Sequence, residues 1–425
     1  MVSLRMWRSK ALVVVLTLSL AVVATWVGSQ TFRGVSGPDV IVGELPEVRY
    51  WGRTNDIAAF SVATTSCNIG DTPLNWYADD TRHPVIAQNM YRYSDGRFTQ
   101  IGQSWLKHGF AALAENDCGL GCQNPNNSQL LGVGCSDPYT AGLNGNQYGL
   151  GPRFEVNATT GAYSYPYTGQ NQAGDVIFKR LQVPVASLLE DDNARFFVEA
   201  HYIASDDAAS GNGLNNASYR EVSVSPNYTV VPTGFNVSTV GATQRTSPAL
   251  QAWKDIDGAV QLETVDVPAD GRYLVASNAV SLGGGQWRYE LAVQNLNSHR
   301  SASAFSVPVP AGATVSGIGF HRAEYHSGEP YEAGLWASRV SSSAITWDTA
   351  ALFADGFEDG TFDAWGATSG GSSGSFEETS NALRWGNVYN FWFTCDRTPT
   401  LSQATITLMR AGSPATVTVD IQGPG

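Results

Sequence analysis

Charge is scarce in this 425-residue chain, where Asp, Glu, Lys and Arg together make up 15%. Basic residues are the scarcer kind, with 25 Lys+Arg against 38 Asp+Glu and a formal net charge of -13. That balance excludes the basic footprint of a nucleic-acid binder. The Ala, Glu, Lys and Leu richness of a coiled coil is missing. Disorder is excluded too, because 12 Trp, 17 Tyr and 17 Phe supply far more burial than a disordered chain carries. No P-loop, dinucleotide fingerprint or His-Glu-x-x-His occurs. Gly370-Gly-Ser372-Ser-Gly374 matches a nucleophile elbow by letter only, since it sits in a Gly/Ser linker without the required strand and helix. Helical periodicity is almost absent as well; Ser104–Ala114 is the one stretch that reads as a short helix.

One long apolar run is present. Arg5, Arg8 and Lys10 precede Ala11–Val27, the order of an export signal. The run approaches the ~20 apolar residues of a spanning helix, so residues 1–30 are read as a cleaved signal peptide or an uncleaved N-terminal anchor. They carry three basic and no acidic residues, so their removal takes the charge from -13 to -16. Contact with a membrane is expected only through this segment. Cys67, Cys118, Cys122 and Cys135 cluster in the first third. In an oxidising compartment they read as two disulfides with three pairings open. Cys395 is left over, and its alternating aromatic neighbours place it in a core. These features expect an extracytoplasmic protein: secreted, periplasmic or anchored to the envelope.

What fills the rest is β periodicity. Phe196, Val198, Ala200 and Tyr202 alternate with Phe197, Glu199, His201 and Ile203; Trp287–Gln294 alternates in the same way. This period of two predicts strands with one buried face. Gly283-Gly284-Gly285 joins Arg272–Leu282 to the second of these as a hairpin. Further strands are expected at Ala304–Val309, Thr314–Phe320, Ala344–Trp347, Val388–Cys395, Ala404–Met409 and Ala415–Ile421. The fold class is all-β: two sandwich-like antiparallel domains with few short helices. Residues 48–235 are read as a disulfide-containing domain with long loops. Residues 240–425 are read as a second sandwich, interrupted at 352–380 by an acidic and Gly/Ser insertion.

The motifs Arg82-His-Pro-Val-Ile-Ala-Gln-Asn-Met-Tyr-Arg92, Gln103-Ser-Trp-Leu-Lys-His-Gly109, Leu131-Gly-Val-Gly-Cys-Ser-Asp-Pro-Tyr139, Tyr325-His-Ser-Gly-Glu-Pro-Tyr331 and Ala382-Leu-Arg-Trp-Gly386 resemble those of a family of large secreted bacterial proteins. The resemblance runs over roughly Val48 to Gly425. It implies export and a β-rich build, and it carries no catalytic assignment.

Histidine is rare, with six in the chain. His321 and His326 flank Glu324 and precede Glu329; imidazole with carboxylate suits Zn, Cu or Fe. His108 and His83 are candidates to complete that sphere from the first domain. The opposing reading is four histidines bonded to backbone. Glu199 and His201 share a strand face and are read as exposed polar residues, against a role in general base chemistry. Acidic loops offer calcium sites at Asp206 and Asp207, at Asp255 and Asp257, and at Asp355 and Asp359. Tyr163, Tyr165 and Tyr167 present either stacking rings for a glycan or protein partner, or a loop packed on the sandwich. Two functions are expected from different classes. One is an exported surface protein that binds a glycan or protein partner, stabilised by calcium. The other is a secreted metalloenzyme using the His/Glu set.

Overall fold

β-Branched and aromatic residues at period two become strands; hairpins join many sequence neighbours, while longer connections such as 109–129 and 152–180 carry the chain between strands that are not adjacent in sequence. A computed structural model describes residues 35–349 and 376–425. The N-terminal segment 1–30 and most of the 352–380 insertion, including Asp355 and Asp359, lie outside the described residues.

Every strand pairing within the described sheets is antiparallel, and the all-β expectation holds. A ten-stranded sheet runs in the order Gly234–Gln244, Ala217–Asn227, Arg195–Ile203, Val85–Ser94, Arg97–Gln103, Leu181–Pro184, Ile57–Val62, Val48–Thr54. Two short strands, Leu106–His108 and Leu150–Gly151, branch from Val85–Ser94. A three-stranded sheet of Val40–Glu44, Thr64–Asn68 and Ser136–Tyr139 contributes to the core on one face of it. Two five-stranded sheets follow. The first contains Gln261–Asp266, Arg272–Gly283, Gln286–Asn295, Asn387–Cys395 and Val315–Arg322. The second contains Ala337–Val340, Ala344–Asp348, Ala302–Pro308, Pro399–Leu408 and Thr416–Pro424. The strands that flank the undescribed insertion therefore lie in two facing sheets.

The predicted hairpin forms: Arg272–Gly283 pairs with Gln286–Asn295, and Gly283, Gly284 and Gly285 all have positive φ, from 58° to 81°. A side chain is strained in that region, which is why the turn is all glycine. The predicted helix at Ser104–Ala114 does not form. Leu106–His108 is a strand paired with Val85–Ile86 and Leu150–Gly151. Sheet pairing on both edges outweighs the weak helical preference of a short run. Gly234–Gln244, within the stretch between the two expected domains, is itself a strand of the ten-stranded sheet.

The alternation is real, but both faces are buried. Phe196, Val198, Ala200 and Tyr202 enter a core with Val40 and Val42. Phe197, on the opposite face, enters another with Trp253, Leu274 and Ala292. Tyr289, Leu291 and Val293 fill a third core between the two five-stranded sheets. The sheets are layered, and the even and odd residues of one strand serve different cores. Cys395 is buried in the third core, and its thiol is unpaired. The four clustered cysteines form Cys67–Cys118 and Cys122–Cys135, one of the three open pairings.

Polar groups also cross between layers. The Arg153 guanidinium is 3% exposed and donates to the carbonyls of Ser104, Gln88 and Gly386 and to Asn89 Oδ1. Gly386 O also accepts from Asn89 and Gln100. Glu199, 1% exposed, accepts from Asn89, Tyr91, the Ala249 backbone and Gln294. Exposure of Glu199 is thus overturned: its partners come from both sides of the layer boundary. Glu199→Ala should leave several buried donors unmatched and cost about 3–5 kcal/mol, read from urea unfolding as a lower midpoint at unchanged slope.

Candidate functional site

The fold brings two of the sequence-predicted histidines together and holds His321 and His326 on other partners. His83 and His108 meet directly, with His83 Nε2 2.8 Å from His108 Nδ1. His83 Nδ1 lies 2.7 Å from the Tyr77 carbonyl, which can only accept. The chain of donors is therefore fixed: His83 Nδ1–H to Tyr77, then His108 Nδ1–H to His83. Tyr167 stacks on His108 at 3.5 Å between ring centroids, and Tyr163 donates its hydroxyl to the His83 carbonyl. Tyr165 meets the His83 ring edge-on at 6.1 Å. The tyrosine stripe packs as a loop over this histidine pair. Burial lowers the pKa of His83, and that of His108 falls well below its ordinary value through burial first, then the fields of His83 and Lys107.

His321 Nε2 faces the Gln100 carbonyl at 3.1 Å. His326 Nε2 faces the Arg180 carbonyl at 3.0 Å, and its Nδ1 faces the Ser327 carbonyl at 2.6 Å. Glu329 accepts the backbone N–H groups of Arg153 and Phe154, at 2.8 and 3.1 Å. Glu324 is exposed. Among the described residues no three His, Cys, Asp or Glu side chains are gathered to hold a metal ion. His201, read as exposed, is 1% exposed and its Nε2 has no partner.

The acidic candidates differ from one another. Asp255 accepts from Tyr219 and Gln251, and Asp257 accepts from Ala259 N–H and Asn278. Asp206 accepts from Asn75 N–H at 2.7 Å. Asp207 Oδ1 accepts from Val40 N–H at 2.9 Å and Oδ2 from Asn216 at 2.8 Å. Burial first, and then the charges of Asp39 and Asp206, push Asp207 up to about 7. Asp39, which sequence reading missed, joins this cluster through Asn215, whose Nδ2 is 3.3 Å from Asp39 Oδ2. Its only sequence signal is an acidic residue directly before the apolar Val40-Ile41-Val42.

An open groove of about 260 Å³ lies between the strands Arg195–Ile203, Ala217–Asn227 and Gly234–Gln244 and the helix Gln251–Ile256. A register shift between Tyr219 and Glu221 opposite Val240–Gln244 helps to shape it; such bulges bend a strand and re-aim side chains. Phe197 and Tyr219 are among its apolar lining. Arg195 donates twice to the Glu221 carboxylate at 2.8 and 2.7 Å, and Tyr219 donates to Asp255. Sequence reading named Asp255 only as a calcium candidate and missed Arg195, Tyr219 and Glu221, because the groove depends on a bulge and on the helix that follows Gly234–Gln244.

The fold and the sites define a layered β protein with two disulfides, which fit folding in an oxidising, extracellular compartment. No family model and no curated protein matches the chain. Among solved structures it is similar to a serine-rich repeat adhesion glycoprotein from Streptococcus agalactiae, with 7% identity, a TM-score of 0.21, 90% of this chain covered and 97% of that one. A likeness at that score carries no functional argument. Among the described residues no helix is long and apolar enough to cross a membrane.

Burial lowers His201 to about 3, with Arg153 adding to the effect, and burial likewise lowers His326 to about 3. A depressed folded pKa gives stability that is present above the unfolded value near 6.5 and is lost as pH falls toward 3. Glu329 acts in the opposite sense: burial raises it to about 7, so its contribution is largest below about 4.5 and is lost as pH rises through 7. His201→Asn should therefore lose less melting temperature than the wild type between pH 6.5 and 4. Parallel curves would contradict the assignment.

Proposed function

We propose that this chain is an exported binding protein of the cell envelope that recognises a neutral glycan in the groove beside Gln251–Ile256. The carrying observation is the lining itself. Arg195 and Glu221 form a doubly hydrogen-bonded charged pair in the lining, Gln244 adds an amide, and Val240 adds apolar surface, while Phe197 and Tyr219 back the groove at 2% and 4% exposure. Vicinal sugar hydroxyls are matched by such paired donors and acceptors. The volume of about 260 Å³ falls just below the roughly 300–1,000 Å³ of drug-sized cavities, which suits a single ring. The net charge of -13 disfavours anionic polymers.

Purified protein applied to a glycan array should retain at least one neutral sugar. Arg195→Ala and Glu221→Ala should each weaken that binding about tenfold while leaving the melting temperature within ~2 °C, since exposed pairs contribute little to stability. Failure of the wild type to bind any glycan, or binding indifferent to both changes, removes this reading.

A further inference from the structure

The hairpin of Ala217–Asn227 and Gly234–Gln244 carries no charged residue from Val222 to Gln244, although 15% of the whole chain is charged. Its turn leaves five successive residues exposed, from Tyr228 to Pro232. Tyr228 is 74% exposed and Val231 93%. Consecutive exposed apolar residues such as Val230-Val231-Pro232 are a liability unless they serve a contact. The stem beneath them is firmly placed: Pro226 faces Phe235 and Asn227 faces Gly234 in the ladder, and Phe235 is buried in the core with Val40 and Val42.

The turn satisfies many of its own polar groups. Asn227 Oδ1 accepts from the Thr229 N–H at 3.1 Å and from the Thr229 hydroxyl at 2.6 Å, and the Asn227 carbonyl accepts from the Val230 N–H at 3.4 Å. Asn227 Nδ2 donates to Asn236. Pro232 has no N–H to satisfy. These internal bonds lower the cost of moving the turn from water into an apolar medium.

Charge and size select the partner. The net charge of -13 repels anionic surfaces, and an uncharged tip has nothing to pair with a charged peptide. Five residues fall far short of the roughly 20–30 per partner in a stable protein interface, which argues against a second copy of the chain. Valines and proline at the apex, with a tyrosine beside them whose hydroxyl can reach water, match the boundary layer of a bilayer. The sequence also brings the chain near such a surface. Residues 28–39, between the apolar run Ala11–Val27 and the strand Val40–Glu44, extend at most about 40 Å, so an uncleaved anchor keeps the folded body close to lipid.

We propose that Tyr228–Pro232 is a wedge that enters the interfacial layer of a zwitterionic lipid bilayer, a membrane contact separate from the N-terminal segment. The turn is too short to span, so the contact is superficial. The groove lies at the other end of the same hairpin, at Glu221 and Val240–Gln244, and either assignment can fail alone.

The test uses the full chain carrying Thr229→Cys labelled with an environment-sensitive NBD dye. Four native cysteines are bridged and Cys395 is buried, so the new thiol takes the label. Phosphatidylcholine vesicles should shift the emission to the blue, and nitroxides on the lipid acyl chains should quench it. The same label at Ser238→Cys, exposed on the stem, should change far less. Adding Val231→Asp should cut the quenched fraction about tenfold, because a charge enters the hydrocarbon boundary at high cost, and should leave the melting temperature unchanged. No vesicle-dependent change at residue 229, an equal change at residue 238, or quenching indifferent to Val231→Asp overturns the proposal. A blue shift that needs no vesicles and grows with protein concentration assigns the tip to a second copy, and overturns it too.

Discussion

The Arg153 guanidinium is the contact on which the layered arrangement depends. It sits among the carbonyls of Gln88, Ser104 and Gly386, the last of which lies far along the chain from the first two. Removing it would leave several buried acceptors without donors, a larger loss than that of its charge alone. Its backbone N–H is held by Glu329, and the Asn89 side chain that accepts from it also donates to Glu199. The apolar cores fill the spaces between sheets, but hydrophobic burial is non-directional. The polar junction fixes how one sheet lies on the next.

Much of the strand pattern was legible in the sequence because a period of two survives in almost any β context. The triglycine hairpin was legible because few residues tolerate three successive positive φ values. The disulfide cysteines were recognisable as a set, but their pairing depends on loop paths that composition does not encode. Burial of Glu199 and His201 was hidden for a specific reason. A polar residue alternating with apolar ones reads as a solvent face unless a second layer covers it, and that layer here comes from residues about 50 to 190 positions later. The failure at Ser104–Ala114 has the same origin: tertiary pairing overrode local preference.

The candidate sites follow this division. His83 and His108 were found as residues but not as a pair, and the tyrosines that enclose them were read separately. Asp207 was legible as an acidic loop residue. Its partner Asp39 was not, since 168 positions separate them and their meeting is a product of the fold. The groove was invisible in the sequence because a strand bulge and the helix that connects two sheets create it.

Cys395 leaves the chain with an odd number of cysteines, one of them unbridged. Both bridges lie in the first third, while the fifth sulfur is carried on a strand near the C-terminus. Its silence is enforced by sheet packing alone. The early cysteines are synthesised first and can couple before the last one appears. A chain that stalls with its final strands undocked keeps a nucleophile able to attack those bridges and shuffle them. The order in which the layers close is therefore also a safeguard on covalent connectivity.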